Sequence, residues 1–156
     1  MMNEYSTNRR VLAVDPGEKR LGIALSDPTA TIANPLMVMK HINRAIDAAT
    51  IAQLAQEHQV NLIVIGQALD DDNQSTQQSR RATRLASAIR HQTKIPVVLW
   101  DESGSTQAAR SARILMSTSR RKRQGHLDDL AATYILQTFL DEQEPASLKG
   151  TMENTP

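Results

Sequence analysis

The sequence contains no cysteine, few aromatic residues and no long apolar run. The absence of cysteine excludes disulfides, thiolate zinc sites and a cysteine nucleophile, and it suits a reducing compartment. Aromatic residues make up only 3% of the chain, which disfavours recognition of single strands by base stacking. Apolar runs such as Leu62–Ile65 fall far short of the ~20 residues of a membrane span, and Met1–Arg10 lacks the apolar core of a signal peptide. We therefore expect a cytoplasmic protein without a membrane partner.

The length and hydrophobic content of the chain indicate one folded domain. The sequence has 156 residues, of which 40% are hydrophobic, and this is ordinary for a globular core. We predict a flexible N-terminus at residues 1–9, a domain at residues 10–142 and a polar, disordered tail at residues 143–156. The oligomeric state cannot be read from these features.

The formal net charge of +1 hides an uneven distribution of charge. Residues 73–126 hold eleven basic and two acidic residues, a net charge of +9, while the rest of the chain carries −8. A basic segment of this kind is typical of a polyanion-binding face, although the same arginines could lie on solvated helix faces. Four adjacent cations repel one another unless a partner neutralises them, and they point to nucleic acid as that partner: Arg120, Arg121, Lys122 and Arg123.

The hydrophobic pattern predicts an α/β domain. Short apolar runs predict five strands, at Arg10–Val14, Leu21–Leu25, Pro35–Met39, Asn61–Gly66 and Pro96–Trp100. Apolar stripes predict four helices, at Arg44–Gln59, Ser79–His91, Thr106–Met116 and Asp128–Glu142. Short links between the first three strands favour an antiparallel meander, and the next run is typical of a central parallel strand. The result is a mixed sheet with helices on its faces.

Three carboxylates occupy positions where chemistry is common. Asp15 and Glu102 each end a predicted strand, and Asp128 opens a predicted helix. Strand ends in an open α/β sheet meet at the edge where ligands bind. Carboxylates gathered there repel one another unless they share a cation, and hard divalent ions prefer oxygen ligands. The pattern predicts a nuclease site with two metal ions beside a basic surface, while the alternative for each acid separately is a helix cap or a solvated loop.

At these residues the sequence resembles the YqgF/RuvX family, whose members are described as Holliday-junction resolvases and pre-16S rRNA nucleases. Four blocks in the family's order carry the resemblance: Asp15–Asp27, Ile63–Gly66, Asp101-Glu102 with Ser105-Thr106, and Gly125–Asp128 with the apolar positions that follow. Together these blocks span Val11 to Leu140, nearly the whole chain.

The resemblance implies a ribonuclease H-like fold with a mixed five-stranded sheet and helices on both faces. It also implies a hydrolase that uses Mg²⁺ or Mn²⁺, with Asp15 bridging two ions and Glu102 and Asp128 completing their coordination. Asp129 is the competing candidate for the third position, and Asp128 is preferred because the Gly-x-x-Asp spacing from Gly125 places it there. Lys19 and Arg20 follow the first carboxylate and are candidates for holding a phosphate or for simple solvation. Precursor rRNA is the preferred substrate, and branched DNA is the alternative.

The sequence departs from the family pattern twice. Gln67-Ala68 follow Gly66 where the family has Leu-Pro, and Ser103 stands where the second motif has Arg. Losing that Arg removes a planar donor suited to phosphate, so weakened activity is one expectation. A catalytically weakened RNA-binding module is therefore an alternative, and an actin-like phosphotransferase is a more distant one, since that architecture needs two such domains.

Overall fold

Five strands and three helices are present in the residues that the computed structural model describes. These are residues 8–68, 72, 74–101 and 127–153, with side chains of the last range described for 130–143. The strands are β1 (Val11–Pro16), β2 (Arg20–Ser26), β3 (Ala33–Lys40), β4 (Leu62–Gln67) and β5 (Val97–Asp101). The helices are α1 (Arg44–Glu57), α2 (Gln77–Arg90) and α3 (Leu127–Glu153).

The strands form one mixed sheet in the order β3-β2-β1-β4-β5. β1, β2 and β3 pair antiparallel, as their short connections predict. β1 and β4 pair parallel, as do β4 and β5. The carboxyl ends of β1, β4 and β5 therefore meet at one edge of the sheet.

Helices cover both faces of the sheet, because side chains alternate along each strand. Leu12 and Val14 of β1 lie in a core formed with α1 and α2. Val11 and Ala13, on the other face, lie in a second core with α3. The predicted apolar stripe of α2 is buried as expected: Ala82, Leu85, Ala86 and Ile89. The predicted α/β architecture with helices on both faces is confirmed.

The ends of α1 and α2 differ from the predicted ones for local reasons. α1 ends at Glu57 instead of Gln59, because Gln59 adopts a left-handed backbone with φ of 56°. α2 begins at Gln77 instead of Ser79, because Thr76 caps the helix and exchanges hydrogen bonds with Ser79. Both departures depend on capping geometry.

The last helix continues past its predicted end. α3 runs to Glu153, so the predicted helix end at Glu142 is wrong; most residues of this stretch favour helix despite Pro145 and Gly150. The domain boundary at residue 142 and the disordered tail stay predictions. The predicted helix Thr106–Met116, the basic loop after it and residues 1–7 lie outside the described residues.

Asp27 organises a turn at the edge opposite Asp15. Its carboxylate accepts hydrogen bonds from the backbone amides of Ile32, Thr31 and Thr29 and from the Thr29 hydroxyl. These bonds, with that from Ile32 the strongest, hold the pKa of Asp27 well below its ordinary value. The shift belongs to a structural turn at the amino end of β1.

Candidate active site

Asp15 lies where β1 reaches the carboxyl edge of the sheet. Val14 pairs with Ile65 of β4, and the next residue, Asp15, pairs with Gly22 of β2. Strand alternation puts Asp15 on the face of Val11 and Ala13, which is the face that α3 covers. The residue is half-buried. The first predicted site residue is therefore at the strand end where its sequence position predicts it.

The turn after Asp15 depends on a glycine. The Gly17 amide donates a hydrogen bond of 3.0 Å to the Arg20 carbonyl, which closes the link between β1 and β2. A Cβ atom at Gly17 would lie 2.3 Å from that carbonyl oxygen. The obstacle is backbone, so a side chain at this position would force the turn to open.

We expect Gly17→Ala to destabilise the protein by about 1–3 kcal/mol, because the added methyl group overlaps a backbone oxygen. The melting temperature should fall by roughly 2–4 °C for each kcal/mol. Thermal unfolding by circular dichroism measures this change. Glu18→Ala is the matched control, because the Glu18 side chain is 72% exposed and its 3.7 Å ion pair with Arg81 contributes little. Equal melting temperatures for the two variants would contradict the steric argument.

β5 brings the second candidate acid towards the same edge. Asp101 is the last residue of β5 and pairs with Gln67 of β4. Glu102 is the next residue in sequence and lies outside the described residues. Trp100, the residue before Asp101, is partly buried and packs against the core on the α3 face, where its indole donates to the Thr138 hydroxyl at 3.1 Å. Trp100 thus supports the core, and Thr138 satisfies its polar end.

α3 runs antiparallel to β1 and β4, so its first turn approaches the carboxyl edge. Gly66, near the end of β4, approaches the side chain of Ile135. Leu140, further along α3, borders a cavity together with Val11 and Leu62, which begin their strands. The helix therefore advances from the carboxyl edge towards the amino edge. Asp128 lies in its first turn, and its side chain is outside the described part.

Most of the predicted metal site lies outside the described residues. Within the described residues, no group of three or more His, Asp or Glu side chains could hold a metal ion. Two of the three predicted ligands, Glu102 and Asp128, have no described side chain. Their roles and that of Asp15 stay predictions.

Of the six predicted phosphate-binding residues, two are described in the structure and four are not. Lys19 and Arg20 line a cavity of about 560 Å³ together with Glu18, Lys40 and His41. This places two of the predicted cations on the turn that follows Asp15. Arg120, Arg121, Lys122 and Arg123 lie outside the described residues.

Sequence reasoning missed a second cavity, of about 380 Å³, on the α1–α2 face of the same turn. Its walls include Arg44, Arg81, Arg84, His41 and the buried Asp47. The one feature of the sequence that could have indicated this cavity is the position of Arg81 and Arg84, one helical turn apart and off the apolar stripe of α2. The sequence does not indicate the role of His41, because its partner Asp47 stands six residues away in a separate element.

The sequence profile of the RuvX family, described as Holliday junction resolvase, matches residues 9–142. The chain belongs to the RuvX family. The matched range covers every described strand and reaches Glu142 in α3. It also contains all three candidate acids, Asp15, Glu102 and Asp128.

Relatives of this RuvX-family chain are similar over most of their length. A protein of Acidiphilium cryptum is 38% identical over 134 residues, which cover 86% of this chain and 85% of that protein. A protein of Halalkalibacterium halodurans is 36% identical over 137 residues, covering 86% and 98%. Both bear the name "putative pre-16S rRNA nuclease". The predicted enzyme class, a nuclease that hydrolyses phosphodiester bonds, is thereby confirmed.

Solved structures support the fold assignment. RuvC of T. thermophilus, in complex with a Holliday junction substrate, matches with a TM-score of 0.56 at 16% identity, over 86% of this chain and 96% of that one. The fowlpox virus Holliday junction resolvase matches with a TM-score of 0.53 at 15% identity, over 86% and 98%. The ribonuclease H-like fold predicted for this RuvX-family chain is confirmed. None of its described helices is long and apolar enough to cross a membrane.

Proposed function

We propose that this protein is a metal-dependent nuclease that processes the 5′ end of pre-16S rRNA in the cytoplasm during ribosome biogenesis. The observation that carries the proposal is the position of Asp15, half-buried at the carboxyl edge that β5 and the first turn of α3 also approach. The relatives' shared name supports precursor rRNA as the substrate.

The donor set fits a hard divalent cation. Asp15, Glu102 and Asp128 supply only carboxylate oxygens, which suit Mg²⁺ or Mn²⁺ better than zinc. Glu102 comes two residues after Trp100, and strand alternation predicts the same face of the sheet for both. Asp128 precedes Ile135 by seven residues, about two helical turns, so the two share one side of α3. Asp129 has the same relation to the buried Leu136, and helical spacing alone does not separate the two candidates.

Two bound ions would lower the pKa of a water and stabilise the leaving oxygen of a phosphodiester. The carboxylates of Asp15, Glu102 and Asp128 would hold those ions. Half-burial of Asp15 reduces solvent screening and strengthens its attraction for cations. Lys19 and Arg20, on the adjoining turn, would attract and position the phosphate backbone.

A second candidate substrate is a four-way DNA junction. The RuvX family is described as Holliday junction resolvase, and both solved structures similar to this chain are Holliday junction resolvases, which favours this substrate. A third possibility is an RNA-binding module without cleavage, favoured by Ser103 and by Gln67-Ala68 in place of the family's usual residues.

One experiment separates these functions. The purified protein is incubated with precursor 16S rRNA and with a four-way DNA junction, each with Mn²⁺ or with EDTA. We expect Mn²⁺-dependent cleavage of the RNA, with a new 5′ end mapped by primer extension. Cleavage of the junction alone would establish the resolvase instead, and binding of RNA without cleavage would establish the binding module.

The basic run provides a separate prediction about affinity. Replacing Arg120, Arg121, Lys122 and Arg123 by Gln should weaken RNA binding and flatten its dependence on salt, because fewer neutralised phosphates release fewer counterions. The slope of log K against log salt should fall by roughly 0.7–0.9 for each phosphate that the variant no longer neutralises. Fluorescence anisotropy in EDTA measures the slope without cleavage. An unchanged slope would identify the run as a solvated segment.

A further inference from the structure

The 380 Å³ cavity on the α1–α2 face is lined by charged side chains that the proposed cleavage reaction does not use. It lies between the turn after β1 and the beginnings of α1 and α2. Pro16, Gly17 and Glu18 form one wall, and Asn43 and Gln77 mark the two helix starts. The cavity therefore adjoins the candidate active site but opens on the opposite face of the sheet.

Two arginines in its wall have no protein partner within the described part of the chain. Arg81 forms a long ion pair of 3.7 Å with Glu18. The guanidinium groups of Arg44 and Arg84 form no hydrogen bond or ion pair with any described residue. Unpaired guanidinium groups around a concavity suit an anion with several oxygen atoms, since each can donate to two of those oxygens.

A buried carboxylate orients a histidine in the same wall. Asp47 is 2% exposed and accepts hydrogen bonds from the Ile42 amide at 3.1 Å and from His41 Nδ1 at 2.5 Å. Because Nδ1 is the donor to Asp47, the Nε2 atom of His41 is the nitrogen left for a ligand. The hydrogen bonds from His41 and Ile42 thus satisfy the Asp47 carboxylate behind the cavity wall.

Both helices that border the cavity present their N-terminal ends to it. Asn43 caps α1 by accepting the Ile46 amide, and Thr76 caps α2 just before Gln77. Helix N-termini carry partial positive charge and favour nearby anions. This effect adds to that of the arginines and points to the same kind of ligand.

The 380 Å³ cavity adjoins the 560 Å³ cavity on the turn. Glu18 and His41 line both, and the 560 Å³ cavity adds Lys19, Arg20 and Lys40. Cations therefore extend from one cavity over the turn that follows Asp15 and into the other. Such a row matches successive phosphates of one strand better than an isolated small anion.

We propose that the α1–α2 cavity holds a phosphate of the substrate's backbone, away from the bond that is cut, through Arg44, Arg84 and His41. This inference rests on the nucleic-acid partner of the proposed function, and it assigns a second contact to that substrate. The ligand is a phosphate group, and it belongs to a nucleic-acid strand that passes over the turn after Asp15.

Binding of an RNA hairpin in EDTA tests the proposal without requiring cleavage. We expect the double variant Arg44→Gln/Arg84→Gln to bind a fluorescein-labelled RNA hairpin about tenfold more weakly at moderate salt. The slope of log K against log salt should fall by roughly one to two units. The matched control is Arg80→Gln/Lys94→Gln, which removes the same charge at exposed positions outside both cavities.

Three results would overturn the proposal. Equal losses of RNA affinity in the two double variants would show that only the net charge matters. Unchanged RNA affinity in both would show that no nucleic-acid strand binds in the cavity. A thermal shift with inorganic phosphate that depends on Arg44 and Arg84, alongside unchanged RNA binding, would assign a free-anion site instead. A reduced slope in a protein that cuts no RNA would support this inference while the proposed nuclease activity fails.

Discussion

Asp15→Asn is expected to lower Mn²⁺-dependent cleavage by on the order of a thousandfold, because metal-ion stabilisation contributes several kcal/mol and each ~1.4 kcal/mol is tenfold in rate. The amide removes the charge that a shared cation needs but keeps the size of the side chain at the half-buried end of β1. Single-turnover cleavage of precursor 16S rRNA measures the rate.

The control is Asp141→Asn, the same change at an exposed position of α3, where the carboxylate accepts from Gln137 at 3.0 Å. It should retain the wild-type rate. Both variants should bind the RNA hairpin in EDTA and unfold at similar temperatures. Cleavage that persists in Asp15→Asn would remove Asp15 from the site, whatever the role of the other acids.

The same assay separates the two acids in the first turn of α3. Asp128→Asn should reproduce the loss seen with Asp15→Asn, and Asp129→Asn should retain most of the activity. The opposite result would transfer the third carboxylate to Asp129, which the helical spacing also permits.

Gly66→Ala is expected to destabilise the fold and reduce cleavage together. A Cβ atom at Gly66 would lie 2.4 Å from Ile135 Cδ1 and 3.1 Å from its Cγ1. Since Ile135 is fully buried, either its side chain must leave its packed position or α3 must shift to make room. Overpacking of this kind costs about 1–3 kcal/mol, and a shift of α3 moves the first turn that carries Asp128. Chemical unfolding and the cleavage assay measure the two effects.

Ile135→Val provides the matched rescue. It removes the Cδ1 atom that the new methyl group meets, so the double variant Gly66→Ala/Ile135→Val should recover much of the stability that Gly66→Ala alone removes. Additive losses in the double variant would contradict this contact as the reason for glycine at position 66.

The sequence predicted the parts of the fold that depend on local pattern. All five strands, the apolar stripe of α2 and the placement of Asp15 at a strand end follow from alternation and helical spacing. Gly66 lies in a sequence block that resembles the family, but the sequence does not explain why glycine is needed there. The explanation is the close approach of Ile135, which depends on how α3 packs on the sheet.

What could not be predicted depends on residues distant in sequence. The anion cavity combines Pro16 with Leu85, and neither is informative alone. Asp47 stands near the start of α1, where an acid ordinarily favours the helix dipole, so its burial beneath His41 had no local signal. The left-handed backbone at Gln59 similarly reflects a cap that periodicity does not encode.

The packing of Trp100 gives the protein an optical probe at its own site. Trp100 is the single tryptophan of the chain, stands two residues before Glu102, and contacts Phe139 of α3 edge to face with ring centroids 5.3 Å apart. Its fluorescence emission therefore originates where β5 meets α3. Titration of the unlabelled protein with Mn²⁺ or with RNA would be followed through that one indole, without introducing a dye or a second tryptophan.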